Sequence, residues 1–264
     1  MVVDVQFLAA DCSWPQLREA AIVSEESGFS AVWVLDHLSG DVFGGNTMFE
    51  CFTLLGALAA VTTRMQLGSL VANVTNRHAG LLAVAAATVQ EISGGRFVLG
   101  LGAGASPESR FAVEQHTLGI EIPARVADRH ARVADTIELL DAMWAEPRDE
   151  QWTGFPRPVP RPPVIVGVNS RALARLAGAR TTGINVRANH PDLEGIIAAG
   201  KKAHAGRESP WSTSVWIPWN DADLDDAHES RRRFSALGVD RLVLVWFSGP
   251  DVTSIERARA WLED

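Results

Sequence analysis

The chain has no tyrosine, only two cysteines and no excess of basic residues among its 264 positions. Two thiols, Cys12 and Cys51, make neither a disulfide framework nor a zinc motif, and we expect both to be small buried residues in a reducing compartment. The formal net charge is −8, and no basic cluster stands out. These features argue against nucleic acid or an anionic membrane as a partner.

The sequence also lacks a long hydrophobic run. Its longest apolar stretch, residues 52–61, is too short to span a bilayer. The N-terminal residues contain an acid and no basic segment, so they indicate a strand rather than a signal peptide. We therefore expect a soluble, cytoplasmic protein. Three of its nine tryptophans, Trp144, Trp152 and Trp261, could form the patch of a homodimer.

Short apolar runs alternate with longer helical patterns along the whole chain. A helical pattern follows each run, and the first helix carries start and stop signals: Ser13 as its cap, Pro15 in its first turn and Gly28 after its end. Further helices are expected over 47–61, 78–92 and 126–144. The eight strand candidates are 2–9, 31–35, 66–72, 97–101, 164–168, 184–186, 213–217 and 241–246.

This alternation predicts parallel βαβ units, because the strands are apolar nearly throughout, as strands covered on both faces must be. Eight units of about 33 residues favour a single-domain (β/α)8 TIM barrel over residues 1–264, with an open doubly wound sheet as the alternative. A stretch with six prolines, residues 145–163, is expected to be an extended surface connection before the fifth strand.

In a parallel barrel the functional residues lie at the carboxyl ends of the strands. The second strand ends in Asp36 and His37. His37 could exchange a proton near neutral pH, and Asp36 could bind or orient a polar ring system. Alternatively, both are loop residues that hydrogen-bond to the backbone.

Two glycine-containing strand ends are further candidates. Residues 100–105 loosely fit a dinucleotide-binding pattern, but the next strand begins far too late for that motif, and close approach of a flat cofactor explains the glycines better. Residues 167–170 end the fifth strand and open a helix, whose free N–H groups could bind a phosphate. Ser170 could equally be a simple helix cap.

No serine elbow, phosphate loop, metalloprotease motif or paired-cysteine motif occurs in the chain, and no metal-ligand set is assembled. This absence of reactive side-chain sets favours chemistry supplied by a bound organic cofactor.

Three segments, residues 32–38, 67–104 and 163–178, resemble the luciferase-like flavin monooxygenases, and most closely the branch that uses the deazaflavin coenzyme F420. The resemblance implies a barrel with the cofactor ring at its C-terminal mouth. It also implies that Asp36 and His37 lie beside the ring, that Leu70 and Val71 are joined by a non-prolyl cis peptide bond behind it, and that Asn73 contacts it. The cofactor would further run along Gly104, Ala105 and Ser106, and its phosphate would lie at Gly167, Val168, Asn169 and Ser170.

The chain departs from this branch at several positions. Ala105 stands where the sugar-phosphate dehydrogenases of the branch have a glutamate that serves as an acid, and Asp41 stands where they have a tryptophan near the histidine. This departure argues against a sugar phosphate as the substrate, and the sequence does not identify the substrate.

The sequence leads to one principal functional hypothesis and two alternatives. The first is an oxidoreductase that transfers a hydride between F420 and a small organic substrate, with His37 as the catalytic residue that handles the substrate proton. The second is an FMN-dependent monooxygenase that uses oxygen and a separate reductase. The third is a barrel that binds a flavin without catalysis.

Overall fold

The computed structural model describes residues 1–262, and its strands form one closed parallel barrel. The first and last strands pair with each other, so the sheet has no free edge. This closure confirms the (β/α)8 barrel and excludes the open doubly wound sheet. The strands are β1 (Val2–Phe7), β2 (Ala31–Val34), β3 (Gln66–Ser69), β4 (Ala72–Asn73), β5 (Phe97–Gly102), β6 (Val164–Gly167), β7 (Gly183–Arg187), β8 (Ser212–Pro218) and β9 (Arg241–Val245).

Helices cover the outside of the barrel. The first one begins as predicted, since the Ser13 side chain and the Gln16 side chain form a reciprocal capping box, and Gly28 follows its end at a φ of +90°. The helices are α1 (Trp14–Glu26), α2 (Cys51–Val61), α3 (Ala79–Ile92), α4 (Val113–Thr117), α5 (Val126–Met143), α6 (Arg171–Arg180), α7 (Leu193–His204), α8 (Glu229–Ala236) and α9 (Val252–Leu262).

The prediction of a helix over 47–61 is wrong at its N-terminal end. Helix α2 begins only at Cys51, because the Glu50 side chain accepts a hydrogen bond from the Thr53 amide at 2.7 Å and caps it there. Met48, which precedes this cap, forms an isolated bridge with Ala10 instead.

The third barrel strand is interrupted, where the sequence analysis expects one strand over 66–72. Its halves β3 and β4 both pair with β5, and between them the Leu70–Val71 peptide bond is cis, as predicted from the resemblance. The Leu70 carbonyl leaves the sheet ladder and accepts a hydrogen bond from Gln6 Nε2 at 2.8 Å. The break directs these two residues into the barrel mouth.

Apolar side chains fill the space between strands and helices, and a smaller apolar group, which includes Trp33, Val98 and Val243, fills the barrel itself. Below this group lies a buried ion pair. Arg241 donates two hydrogen bonds to the Asp4 carboxylate, at 2.8 and 2.9 Å, and Trp33 Nε1 donates a third at 2.9 Å. These residues fill the lower half of the barrel, and a cavity opens at its upper end.

The proline-rich connection between α5 and β6 contains one short 3₁₀ turn, Glu150–Trp152. Trp144, at its start, is buried in the core, whereas Trp261 is exposed, so the three tryptophans do not form one surface patch. Among residues 1–262, no helix combines the length and apolar character that crossing a membrane requires.

Candidate active site

A cavity of about 700 Å³ opens at the carboxyl ends of the strands. Ten of the twelve residues that the sequence analysis selects line this cavity, and Ser106 and Ser170 stand just outside it. The ten are Asp36, His37, Leu70, Val71, Asn73, Gly104, Ala105, Gly167, Val168 and Asn169. The polar strand-end residues therefore converge on one site, as the barrel topology requires.

Leu70 and Val71 form an apolar part of the cavity wall, and the neighbouring strands approach Val71 very closely. A Cβ atom at Gly102 would lie 2.4 Å from Val71 Cγ2, and one at Gly167 would lie 3.0 Å from its γ carbons. Any larger residue at Gly102 would collide with the Val71 side chain. The close approach of β5 and β6 to Val71 therefore explains why glycines occupy positions 102 and 167.

His37 is held by a carboxylate from a distant part of the chain. Its Nδ1 lies 3.0 Å from Glu114 Oε1, on the short helix α4. The other carboxylate oxygen, Oε2, accepts hydrogen bonds from the Leu38 and Ser39 amides at 2.8 and 3.0 Å. The reading of His37 as a loop histidine bonded to the backbone is therefore wrong, because its partner is a side-chain carboxylate.

The electrostatics of Glu114 follow from these contacts. Burial raises the pKa of its carboxyl group, but the hydrogen bond from His37, the charge of a protonated His37 and the two backbone amides together lower it below its usual value of 4.5. Glu114 is consequently an ionised acceptor at neutral pH. Its side chain is 1% exposed, against 22% for His37, so only the histidine reaches the cavity.

Two phenylalanines flank His37. The Phe43 ring meets the imidazole edge to face, with centroids 4.9 Å apart, and the Phe111 ring lies at 5.8 Å. Both phenylalanines also line the cavity. The sequence analysis assigned neither of them, nor Glu114, because all three lie in irregular segments or very short helices that give no periodic signal.

The Asp36 carboxylate, next to His37 in the chain, accepts hydrogen bonds from other residues of the protein. This buried carboxylate receives two hydrogen bonds of 2.7 Å from Arg77 and one of 2.8 Å from the Asn73 amide. Arg77 also reaches Glu50 at 3.1 Å. Asp36 therefore fixes the loop that follows β4 and lines the cavity from that position.

Asn73, the last residue of β4, lies close to the glycine-rich segment that follows β5. Its Oδ1 accepts hydrogen bonds from the Thr75 amide and hydroxyl at 3.0 and 2.7 Å. A Cβ at Gly104, whose φ is +72°, would lie 2.7 Å from this oxygen. The side-chain nitrogen of Asn73, Nδ2, donates no hydrogen bond within residues 1–262, which leaves a donor available at the cavity wall.

The Gly167–Ser170 segment leads into α6. The Ser170 hydroxyl accepts a hydrogen bond from the Leu173 amide at 3.3 Å, so Ser170 is the N-cap. Asn169 is exposed at the cavity rim next to this helix start. The capping role is thus confirmed, and a phosphate at the same helix end stays a prediction.

The segment at the end of β7 supplies an arginine and a histidine to which the sequence gave no role. Arg187 and His190 line the cavity beside the start of α6. In the part of the chain that the structure describes, Arg187 forms no ion pair or side-chain hydrogen bond. The same part contains no group of three or more His, Cys, Asp and Glu residues arranged to hold a metal ion.

This geometry can be compared with known proteins. The family model for luciferase-like monooxygenases matches residues 5–237. The chain belongs to this family. It is 30% identical over 258 residues to an F420-dependent glucose-6-phosphate dehydrogenase of Microbacterium testaceum, covering 93% of this chain and 68% of that enzyme. It is 27% identical over 223 residues to a 5,10-methylenetetrahydromethanopterin reductase of Methanolobus tindarius, covering 79% of this chain and 61% of the reductase.

Among solved structures, the fold is similar to that of an F420-dependent secondary alcohol dehydrogenase in complex with an F420–acetone adduct. The TM-score is 0.76 at 16% identity, over the whole of both chains. At 16% identity, this match shows similarity of fold alone, and it agrees with the closed parallel barrel described above.

Proposed function

We propose that the protein is an F420-dependent oxidoreductase acting on a small organic substrate. The observation that carries the proposal is His37, which a buried carboxylate holds at the wall of the barrel-mouth cavity. The name of one relative supports the cofactor, since the dehydrogenase of Microbacterium testaceum is called F420-dependent.

The residues present fit such a cofactor. A cavity of about 700 Å³ lies within the ~300–1,000 Å³ range of ligand sites. Leu70 and Val71 offer an apolar surface to a flat ring, and the side-chain nitrogen of Asn73, Nδ2, offers a donor to the edge of that ring. The start of α6, with Arg187 nearby, offers positive potential for a phosphate.

When bound, F420 supplies a hydride acceptor or donor. His37 would accept the proton of a substrate hydroxyl during oxidation and return a proton during reduction. Phe43 and Phe111 would limit access of water to this proton. Because Ala105 carries no acidic group, we expect the substrate to be something other than a sugar phosphate.

The experiment that tests this proposal is a titration of the purified protein with oxidised F420 and, separately, with FMN. We expect F420 to bind at micromolar or lower concentration and FMN to bind at least tenfold more weakly. Turnover is then measured with a panel of short secondary alcohols and, in reverse, the matching ketones and aldehydes. Binding of FMN alone would favour the monooxygenase alternative, and binding of F420 without turnover across wide panels would favour a non-catalytic barrel.

A further inference from the structure

We propose that Glu114 is a positioning residue that holds His37 in a single tautomer, with the hydrogen on Nδ1 and the lone pair of Nε2 directed into the cavity. The catalytic consequence rests on the proposed function, whereas the tautomer itself is a property of the protein without cofactor. The starting observation is the 3.0 Å contact between His37 Nδ1 and Glu114 Oε1.

The hydrogen bonds around Glu114 decide the direction of this contact. Oε2 accepts from two backbone amides, and Oε1 additionally accepts from Gln115 Nε2 at 3.1 Å. A carboxylate that already accepts three N–H groups is ionised and can only accept a further hydrogen. The hydrogen between Glu114 and His37 must therefore belong to Nδ1.

A neutral imidazole carries one hydrogen, so protonated Nδ1 leaves Nε2 as a bare acceptor. In this state His37 is ready to take a proton. In the oxidation of an alcohol, Nε2 would accept the proton of the substrate hydroxyl, and F420, when bound, would supply the hydride acceptor that the oxidation requires. The buried carboxylate then faces the imidazolium and stabilises its charge.

The other groups around His37 do not compete for this role. Phe43 and Phe111 are apolar, Arg110 stacks on the Phe111 ring at 4.6 Å, and the Asp36 carboxylate is paired with Arg77. Glu114 is the charged group in contact with the imidazole in the described chain.

Glu114 also ties the 37–39 loop to α4 through the Leu38 and Ser39 amides, so a variant there changes structure as well as chemistry. The first test therefore requires no variant. Nitrogen-15 NMR of the histidine-labelled protein without cofactor reports which ring nitrogen is protonated, and the His37 signals are assigned by their loss in His37→Gln. We expect Nδ1–H with bare Nε2 at a pH where the ring is neutral. A His37 ring protonated on Nε2 would overturn the proposal.

The second test compares Glu114→Gln with Glu114→Asp, each checked for folding by circular dichroism. Glu114→Gln should shift His37 towards the Nε2–H tautomer, because the glutamine oxygen would accept from the Leu38 and Ser39 amides and its NH2 group would then donate to Nδ1. Glu114→Asp keeps an acceptor-only group and should retain the wild-type tautomer if it folds. An unchanged single tautomer in folded Glu114→Gln would contradict the proposal.

A kinetic double-mutant cycle with the fastest substrate of the panel separates positioning from structural support. We expect Glu114→Gln to lower kcat about tenfold or more in the wild-type background, with little change in the cofactor Kd, and to have no further effect in the His37→Ala background. Equal losses in both backgrounds would assign Glu114 a structural role only. If F420 fails to bind, the proposed function fails, and the NMR result still decides the tautomer.

Discussion

Asp36 and His37 are adjacent in the chain, yet their side chains serve different parts of the site. The His37 imidazole reaches the cavity between two phenylalanine rings, whereas the Asp36 carboxylate is buried against Arg77. Substitutions of the two residues should therefore affect different measured quantities.

We predict that His37→Ala lowers kcat by at least about tenfold, since general acid–base assistance contributes about 10²–10⁴ in rate. The cofactor Kd should change less than about threefold, because most of the predicted cofactor contacts lie elsewhere. Steady-state kinetics and a fluorescence titration of F420 measure the two quantities. Normal turnover by a folded His37→Ala protein would remove His37 from the mechanism.

We predict that Asp36→Ala chiefly weakens cofactor binding and stability. It removes the partner of a mostly buried arginine, a change that costs about 3–5 kcal/mol in buried pairs, although the contact between Arg77 and Glu50 offsets part of it. The Asn73 amide also loses the carboxylate that accepts its hydrogen bond. Chemical denaturation and the F420 titration check this result. A larger effect on kcat than on the cofactor Kd would contradict the assigned role.

Asp36→Asn is the matched control, because the amide oxygen can still accept from the Asn73 amide while the negative charge is lost. We expect its effects to lie between those of the wild type and Asp36→Ala.

At the scale of elements, ionised carboxylates connect loops and helix ends at both ends of the barrel. Glu25, in the last turn of α1, accepts hydrogen bonds from the amides of Thr63, Arg64 and Met65 at 2.6–3.1 Å, which secures the turn before β3. Burial raises the pKa of Glu25, but these hydrogen bonds outweigh it and lower the pKa below 4.5.

We predict that Glu25→Gln lowers the free energy of unfolding by about 1–3 kcal/mol at pH 7, the range for hydrogen bonds to charged groups. Because the folded-state pKa is lowered, the stabilisation is fully present above pH 4.5 and is lost as pH falls through the folded value. Urea denaturation of both proteins between pH 7 and pH 3 measures the difference. A difference that grows as pH falls would contradict this account.

The start of α6 is the element assigned to the cofactor phosphate. We predict that Ser170→Asp, which preserves the N-cap, weakens F420 binding at least tenfold through charge repulsion without unfolding the protein. Ser170→Ala is the control: it loses the cap at a cost of about 1 kcal/mol but adds no charge. A deazaflavin that lacks the phosphate should bind Ser170→Asp and the wild type equally. Unchanged F420 affinity in Ser170→Asp would remove the phosphate from this position.

At the scale of the whole molecule, the regular features were predictable and the contacts between loops were not. Alternating apolar strands and the Ser13 cap are local signals, so they predict the barrel and its first helix. The pairing of His37 with Glu114 joins residues 77 positions apart through irregular segments, and no periodicity marks it. For the same reason the sequence does not reveal the ion pair between Asp36 and Arg77. That Asp36 lies beside the cofactor ring stays a prediction.

The candidate site was predictable mainly from the family resemblance. Parallel topology brings the strand ends together, but it does not distinguish residues that contact a cofactor from residues of an ordinary loop. Gly102 and Gly167 are an example. They approach Val71 from the ends of β5 and β6, and no pattern in the sequence indicates this contact.

The central claim is that the barrel mouth binds F420 with its ring next to His37, and a crystal structure of the protein with oxidised F420 tests it most directly. The account predicts ring density against Leu70 and Val71, the ring within reach of His37 Nε2, and phosphate density at residues 167–170. Density for the ring outside this cavity, or a ring in the cavity with His37 turned away from it, would contradict the account.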